Sequence, residues 1–108
     1  MDQIKRLRQG DNASTTGSDR HITQLFDGPF RKIVEVGLSN GAVLSKHHAD
    51  VPITVYCVSG KGEFYAGEAL GEVNELSAGS LITLDAGIEH EVRATPEIRL
   101  IVSKFKAA

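Results

Sequence analysis

The sequence predicts an all-β protein, a sandwich or barrel of antiparallel strands. Three observations carry that prediction. Short apolar or alternating runs recur from residue 21 to the C-terminus, glycine-bearing turns separate them, and no stretch shows a convincing 3.6-residue apolar period. The connections are too short for the crossovers that parallel strands require, so neighbouring strands pair antiparallel.

The elements follow in order. Residues 1–19 are polar and hold too little apolar surface to offset the entropy of ordering them, which predicts a flexible arm ahead of one barrel domain over 20–108. The segment "RHITQLFDGPF" comes next, and its Ile22, Leu25, Phe26 and Phe30 need a partner surface. A homodimer with residues 20–30 at or near the interface is expected. A run rich in β-branched residues over 30–39 meets Asn40-Gly41, a strong hairpin signal, and continues into a strand over 42–47. Strands over 53–58 and 63–66 flank "SGKG", which reads as a tight turn. Further strands are expected over 72–76, 80–84, 91–95 and 98–105, making about eight in all.

Composition narrows the function classes. At 108 residues, with 41% hydrophobic and 24% charged residues, the chain has the make-up of one globular domain. A formal charge of −2 gives no basic surface for nucleic acid or anionic lipid, and no DNA-binding helix is present. No apolar run is long enough to span a bilayer and the N-terminus lacks an apolar signal segment, so a cytoplasmic protein with no membrane partner is expected. The single cysteine, Cys57, lies inside an apolar run and reads as a buried, inert thiol. Gly60, Gly62 and Gly67 miss both the dinucleotide and the phosphate-loop spacing and read as hairpin glycines. Tyr56 and Tyr65 sit among apolar neighbours and read as packing residues.

Chemistry concentrates in "LSKHHADVPITVYCVSG", which opens with His47-His48. Adjacent strand residues point to opposite faces, so both imidazoles reach one point only through a bulge or bend. The surrounding spacing resembles the first motif of the cupins: Gly, five residues, His, any, His, three or four residues, Glu, six residues, Gly. Gly41, His47 and Gly60 match it. "GSLITLDAGIEH" is similar to the second motif, with Gly79, Gly87 and His90 in place. The resemblance covers about residues 28–106, with 18 residues between Gly60 and Gly79. The resemblance implies an antiparallel jelly-roll barrel, also called a double-stranded β-helix, of the RmlC-like type.

In metal-binding cupins two histidines and a glutamate of the first motif and a histidine of the second surround one divalent ion. Here Ala49 and Ile53 occupy the second-histidine and glutamate positions, while Asp85 and Ala94 replace the proline and asparagine of the second motif. His47 and His90 alone remain of the four ligand positions.

If His47 points inward, alternation puts Val43, Ser45 and Ala49 on its face and sends Lys46 and His48 outward; Ile53, Val55 and Cys57 share one face of the next strand. A mostly apolar interior is expected, suited to a small organic ligand near His47, His90, Ser45, Ile53 and Val55. The imidazoles there could grip a carboxylate or carbonyl. The alternative is a metal-dependent cupin enzyme of dioxygenase or isomerase type, with Zn, Ni, Fe or Mn at His47 and His90, joined by His48 only if a bulge turns it inward. A purely structural barrel that works through its outer sheet is the third reading.

Overall fold

In a computed structural model of the chain, residues 19–107 are described. The arm expected over 1–19 lies outside them except for Asp19. That residue accepts two hydrogen bonds, at its backbone oxygen from Ser39 N–H (2.9 Å) and at its carboxylate from Asn40 Nδ2 (2.8 Å).

Seven strands form one antiparallel network: β1 (Arg20–Asp27), β2 (Arg31–Leu38), β3 (Val43–His47), β4 (Ile53–Ala66), β5 (Glu72–Ser77), β6 (Leu81–Leu84) and β7 (His90–Phe105). A 3₁₀ turn at Glu68–Leu70 is the one helical element among the described residues. The count among the described residues is one below the expected eight: two expected pairs are each continuous, which leaves six, and β1, not expected as a strand, adds the seventh. Residues 53–58 and 63–66 are two halves of β4, and 91–95 and 98–105 are two halves of β7.

"SGKG" is therefore a bend inside a strand. Val58 is an extra residue on β4 between the Cys57–Leu100 and Ser59–Arg99 pairs, and β7 carries extra residues between its Gly60 and Gly62 partners, Ile98 and Ala94. Each bulge adds local twist. The glycines serve close approach: a Cβ on Gly60 (φ +83) would meet Glu97 O at 2.1 Å, and one on Gly62 would meet Arg93 O at 2.6 Å. The bend leaves its mark in the burial pattern, since inward residues of β4 are odd-numbered before it (Ile53, Val55, Cys57) and even-numbered after it (Gly62, Phe64, Ala66).

The bend splits the network into two layers. β1, β2, the C-terminal half of β7, the N-terminal half of β4 and β6 form one; β3, the N-terminal half of β7, the C-terminal half of β4 and β5 form the other. Val34, Val36, Val55 and Leu100 of the first layer and Phe64, Leu76 and Val92 of the second meet in one buried cluster. This is a jelly-roll barrel.

Asn40-Gly41 does adopt the left-handed pair of conformations that its residues favour (φ 55 and 71). The strands it joins are not paired, however. β2 belongs to the first layer and β3 to the second, and both pair with β7, so the turn carries the chain from one layer to the other.

The segment 20–30 contains β1, a strand paired with β2 at the end of the first layer. Leu25 is buried within the chain itself, while Ile22 (39% exposed) and Phe30 (59%) keep substantial surface. The expectation that all four apolar residues need an external partner is thus corrected for Leu25. Cys57 is fully buried, and burial raises its thiol pKa, which keeps the group protonated and inert. Tyr56, expected to pack, is 44% exposed. No described helix is long and apolar enough to cross a membrane.

Candidate functional site

The space between the layers opens into a cavity of about 520 Å³. Its floor comes from the first layer, and the cross-strand registers arrange that floor in rows. Val36, Leu100 and Cys57 align across β2, β7 and β4; Val34, Val102 and Val55 form the next row; Lys32, Lys104 and Ile53 form the outermost. Each of these residues except Cys57 lines the cavity. Residues two apart on a strand share a face, which is why one pleat phase supplies the whole floor.

The opposite wall carries the histidines. His47 on β3 and His90 on β7 are direct partners in the ladder, and their rings meet edge to face with centroids 4.2 Å apart. Phe64 stacks on the other side of His90 at 5.6 Å and 9° between planes. Each imidazole is held the same way: His47 Nδ1 lies 2.8 Å from Ser45 O and His90 Nδ1 lies 2.9 Å from Ile88 O. A carbonyl only accepts, so Nδ1 carries the hydrogen in both rings, and a neutral ring keeps its Nε2 lone pair for another partner. Burial lowers the His90 pKa below its ordinary value. The hydrogen bond to Ile88 opposes that shift, and the charges of His47, Lys104 and His48 reinforce it. His90 is therefore neutral at neutral pH.

Ser45, His47, Ile53, Val55 and His90 all line this one cavity. The strand phase assigned to β3 is wrong, because the ladder runs Leu44–Val92 and then His47–His90, three residues on β3 against two on β7. This bulge turns both Leu44 and His47 inward and leaves Val43 at the surface, 37% exposed. Lys46 and His48 border the cavity, yet their side chains stay 55% exposed, as alternation had placed them, with Lys46 Nζ 3.7 Å from Glu89. His48 lies 3.6 Å from Asp50, with its side chain half exposed. Among the described residues, no three His, Cys, Asp or Glu side chains converge as a metal site requires.

Two features escaped sequence reasoning. Phe64, which the sequence reading did not single out, is a ring partner of His90 and fully buried. The other is charge: among the described residues Arg20, Lys32, Lys46 and Lys104 line the cavity and no Asp or Glu does, although Lys46 Nζ lies 3.7 Å from Glu89 just outside it. A net charge of −2 over the whole chain concealed this local imbalance.

No protein-family model and no curated protein sequence matches the chain. Solved structures do. KdgF from Halomonas sp. is 18% identical with a TM-score of 0.81, covering 98% of this chain and 96% of that one. An RmlC-like cupin from Shewanella frigidimarina is 20% identical with a TM-score of 0.77, covering 99% and 96%. The chain has a cupin fold. The oxalate decarboxylase of Lactobacillus farciminis, solved as a formate complex, matches 99% of this chain but 34% of its own length, at 18% identity and a TM-score of 0.78.

Within the cupin barrel the substituted ligand positions acquire an environment. Ala49 and Ile53 both line the cavity, and Ile53 is almost fully buried. Ala94 is buried in the core beside the β4–β7 bend.

Proposed function

We propose that the protein binds a small organic molecule in the barrel, between the aliphatic floor and the His47–His90 pair. One observation carries this reading: a cavity of about 520 Å³ whose walls are mostly apolar and whose two ordered imidazoles each leave one Nε2 free to accept. Such a combination of apolar lining and a few fixed polar groups is what small-molecule sites use. Val55 and Ile53 supply contact area, Ser45 fixes the His47 ring through its carbonyl, and the Nε2 atoms supply direction.

The test is a fragment screen by NMR on uniformly labelled protein, following the histidine ring nitrogens and the methyl groups of Val34, Val55 and Val102. Hits should shift both sets, and Val102→Phe, which fills the floor, should weaken them at least tenfold. Hits that shift neither set would remove the reading.

A resident divalent metal is the second reading, favoured by the two Nε2 lone pairs. Zn, Ni, Fe or Mn would take His47 and His90 as ligands, but two donors fall short of the three that catalytic zinc and ferrous sites use, and a cation-rich lining disfavours a further cation. No step of the proposed function passes through a metal. Elemental analysis of protein purified without a histidine tag decides it, with stoichiometric metal lost in His47→Ala supporting the metal.

We also propose a homodimer with residues 20–30 at or near the interface, where Phe30 is 59% exposed. Sedimentation at micromolar concentration should give twice the 11.6 kDa chain mass; a monomer would end this proposal.

A further inference from the structure

Lys32 and Lys104 stand directly opposite each other in the β2–β7 ladder, and both line the cavity. Directly opposed residues in an antiparallel pair have Cβ atoms about 5 Å apart, and like charges placed there repel. Neither lysine makes an ion pair among the described residues. Asp27, opposite Lys32 on β1, feels that lysine's charge, but its carboxylate is already hydrogen-bonded to Lys106. On the other side of Lys104 the row continues with Ile53, which is apolar. Two cations therefore share one end of a cavity that no carboxylate of the described residues lines.

Depth along the strands makes the pair meaningful. The all-valine row of Val34, Val102 and Val55 lies two residues further in, about 7 Å at strand rise. A molecule entering past the lysines meets charge first and aliphatic surface next.

We infer that the ligand is an organic anion, with one carboxylate or phosphate head held between Lys32 and Lys104 and an apolar body of several carbons lying on the valine row. This rests on the proposed use of the cavity and names the chemical class of its occupant. The head offsets the mutual repulsion of the lysines, and the body replaces water on the floor. The opposing view is that both lysines merely lay their stems over apolar surface and hold their ammonium groups in water. In that case a charged head gains nothing over a neutral one.

Hexanoate, hexyl phosphate and neutral hexanamide, titrated into the full chain and followed by NMR at low salt, separate these views. Hexanoate or hexyl phosphate should bind at least tenfold tighter than hexanamide, and the tighter of the two identifies the head. Lys32→Gln and Lys104→Gln should each weaken the anion about tenfold and leave hexanamide unchanged, while Lys104→Arg, which keeps the charge, should stay within about threefold of the wild type. Raising salt should weaken the anion selectively. If hexanamide binds as tightly as both anions, or the glutamine variants bind the anion as the wild type does, the anion assignment is overturned and the cavity reading stands. If none of the three probes binds and the fragment screen also finds no ligand in the cavity, both fall together.

Discussion

The floor of the cavity and its mouth are built on different terms. On the floor, strand alternation, burial and apolar chemistry agree: Val34, Val55, Leu100 and Val102 point inward in phase and are buried among one another. At the mouth they conflict. β3 bulges, polar and charged side chains border the opening, and two lysines face each other across a ladder. Local rules that agree give stability, and rules broken in one place mark where stability has been traded for something else. In this protein the break coincides with the opening of the cavity.

Substitutions in the buried interior, the floor and the Phe64 wall that faces it, should therefore cost far more than substitutions at the mouth. The largest effect is expected from Phe64→Ala, which empties a fully buried ring site and removes the stacking partner of His90. A loss of about 3–5 kcal/mol should appear in denaturant melts. A loss below about 1 kcal/mol would show that the core relaxes around the gap and that interior and mouth do not differ as described.

Gly60→Ala should come next, at about 2–4 kcal/mol, because the residue sits at φ +83 and its new Cβ would collide with Glu97 O. Gly41→Ala is the matched control. It has a similar φ of +71 but nothing within 4 Å of the added carbon, so it should lose only the conformational part, about 1 kcal/mol. Equal losses at the two glycines would remove the close-approach explanation of the bend.

Restoring the cupin ligand pattern joins the two regions. Ala49→His with Ile53→Glu adds two donors to the cavity that holds His47 and His90, and Zn²⁺ or Ni²⁺ affinity should rise sharply over the wild type in calorimetric titration. Without metal the double variant should be less stable by about 2 kcal/mol, since Ile53 is buried. Lys104, directly opposite residue 53, gives the new carboxylate a partner and keeps that loss small. Lys104→Gln in the same background should deepen the loss. An unchanged metal affinity would show that residues 49 and 53 do not aim at the imidazoles.

The smallest effect is the titration of His90. Its pKa is lowered from the ordinary 6.5 in the folded state, chiefly by burial. Above that value the ring is neutral in both states and stability is unaffected. As pH falls below it, the unfolded chain takes up a proton that the buried ring refuses, so stability declines until the depressed folded value is passed. Melts between pH 8 and pH 5 should show this decline, and His90→Phe should reduce its slope. A slope that is unchanged in the variant would assign the decline to other groups.

The opposing strand phases of β4 illustrate how much was legible beforehand. Inward positions at Ile53, Val55 and Cys57 followed from alternation, as did the burial of the cysteine. The switch of phase by Phe64 was not read, because "SGKG" has the composition of a turn and hid a bend within one strand. Nothing local distinguishes the two, since glycine serves either; the decision lies with Glu97 and Arg93, more than thirty residues away. Asn40-Gly41 teaches the same lesson. Its residues determine the turn conformation, and the pairing of both neighbouring strands with β7 determines that it is not a hairpin.

By itself, the sequence determined the all-β class, the spacing that puts His47 and His90 in the two cupin motifs, and the apolar floor. These follow from period, turn chemistry and motif spacing, which are properties of neighbouring residues. The tertiary structure alone decided the β3 bulge between Leu44 and His47, the ring packing of His90 between His47 and Phe64, and the apposition of Lys32 with Lys104. The reason is register. Lysines 72 positions apart become neighbours only when β2 and β7 align in one of their possible pairings, and that alignment is set by burying Val34, Val36, Leu100 and Val102 together.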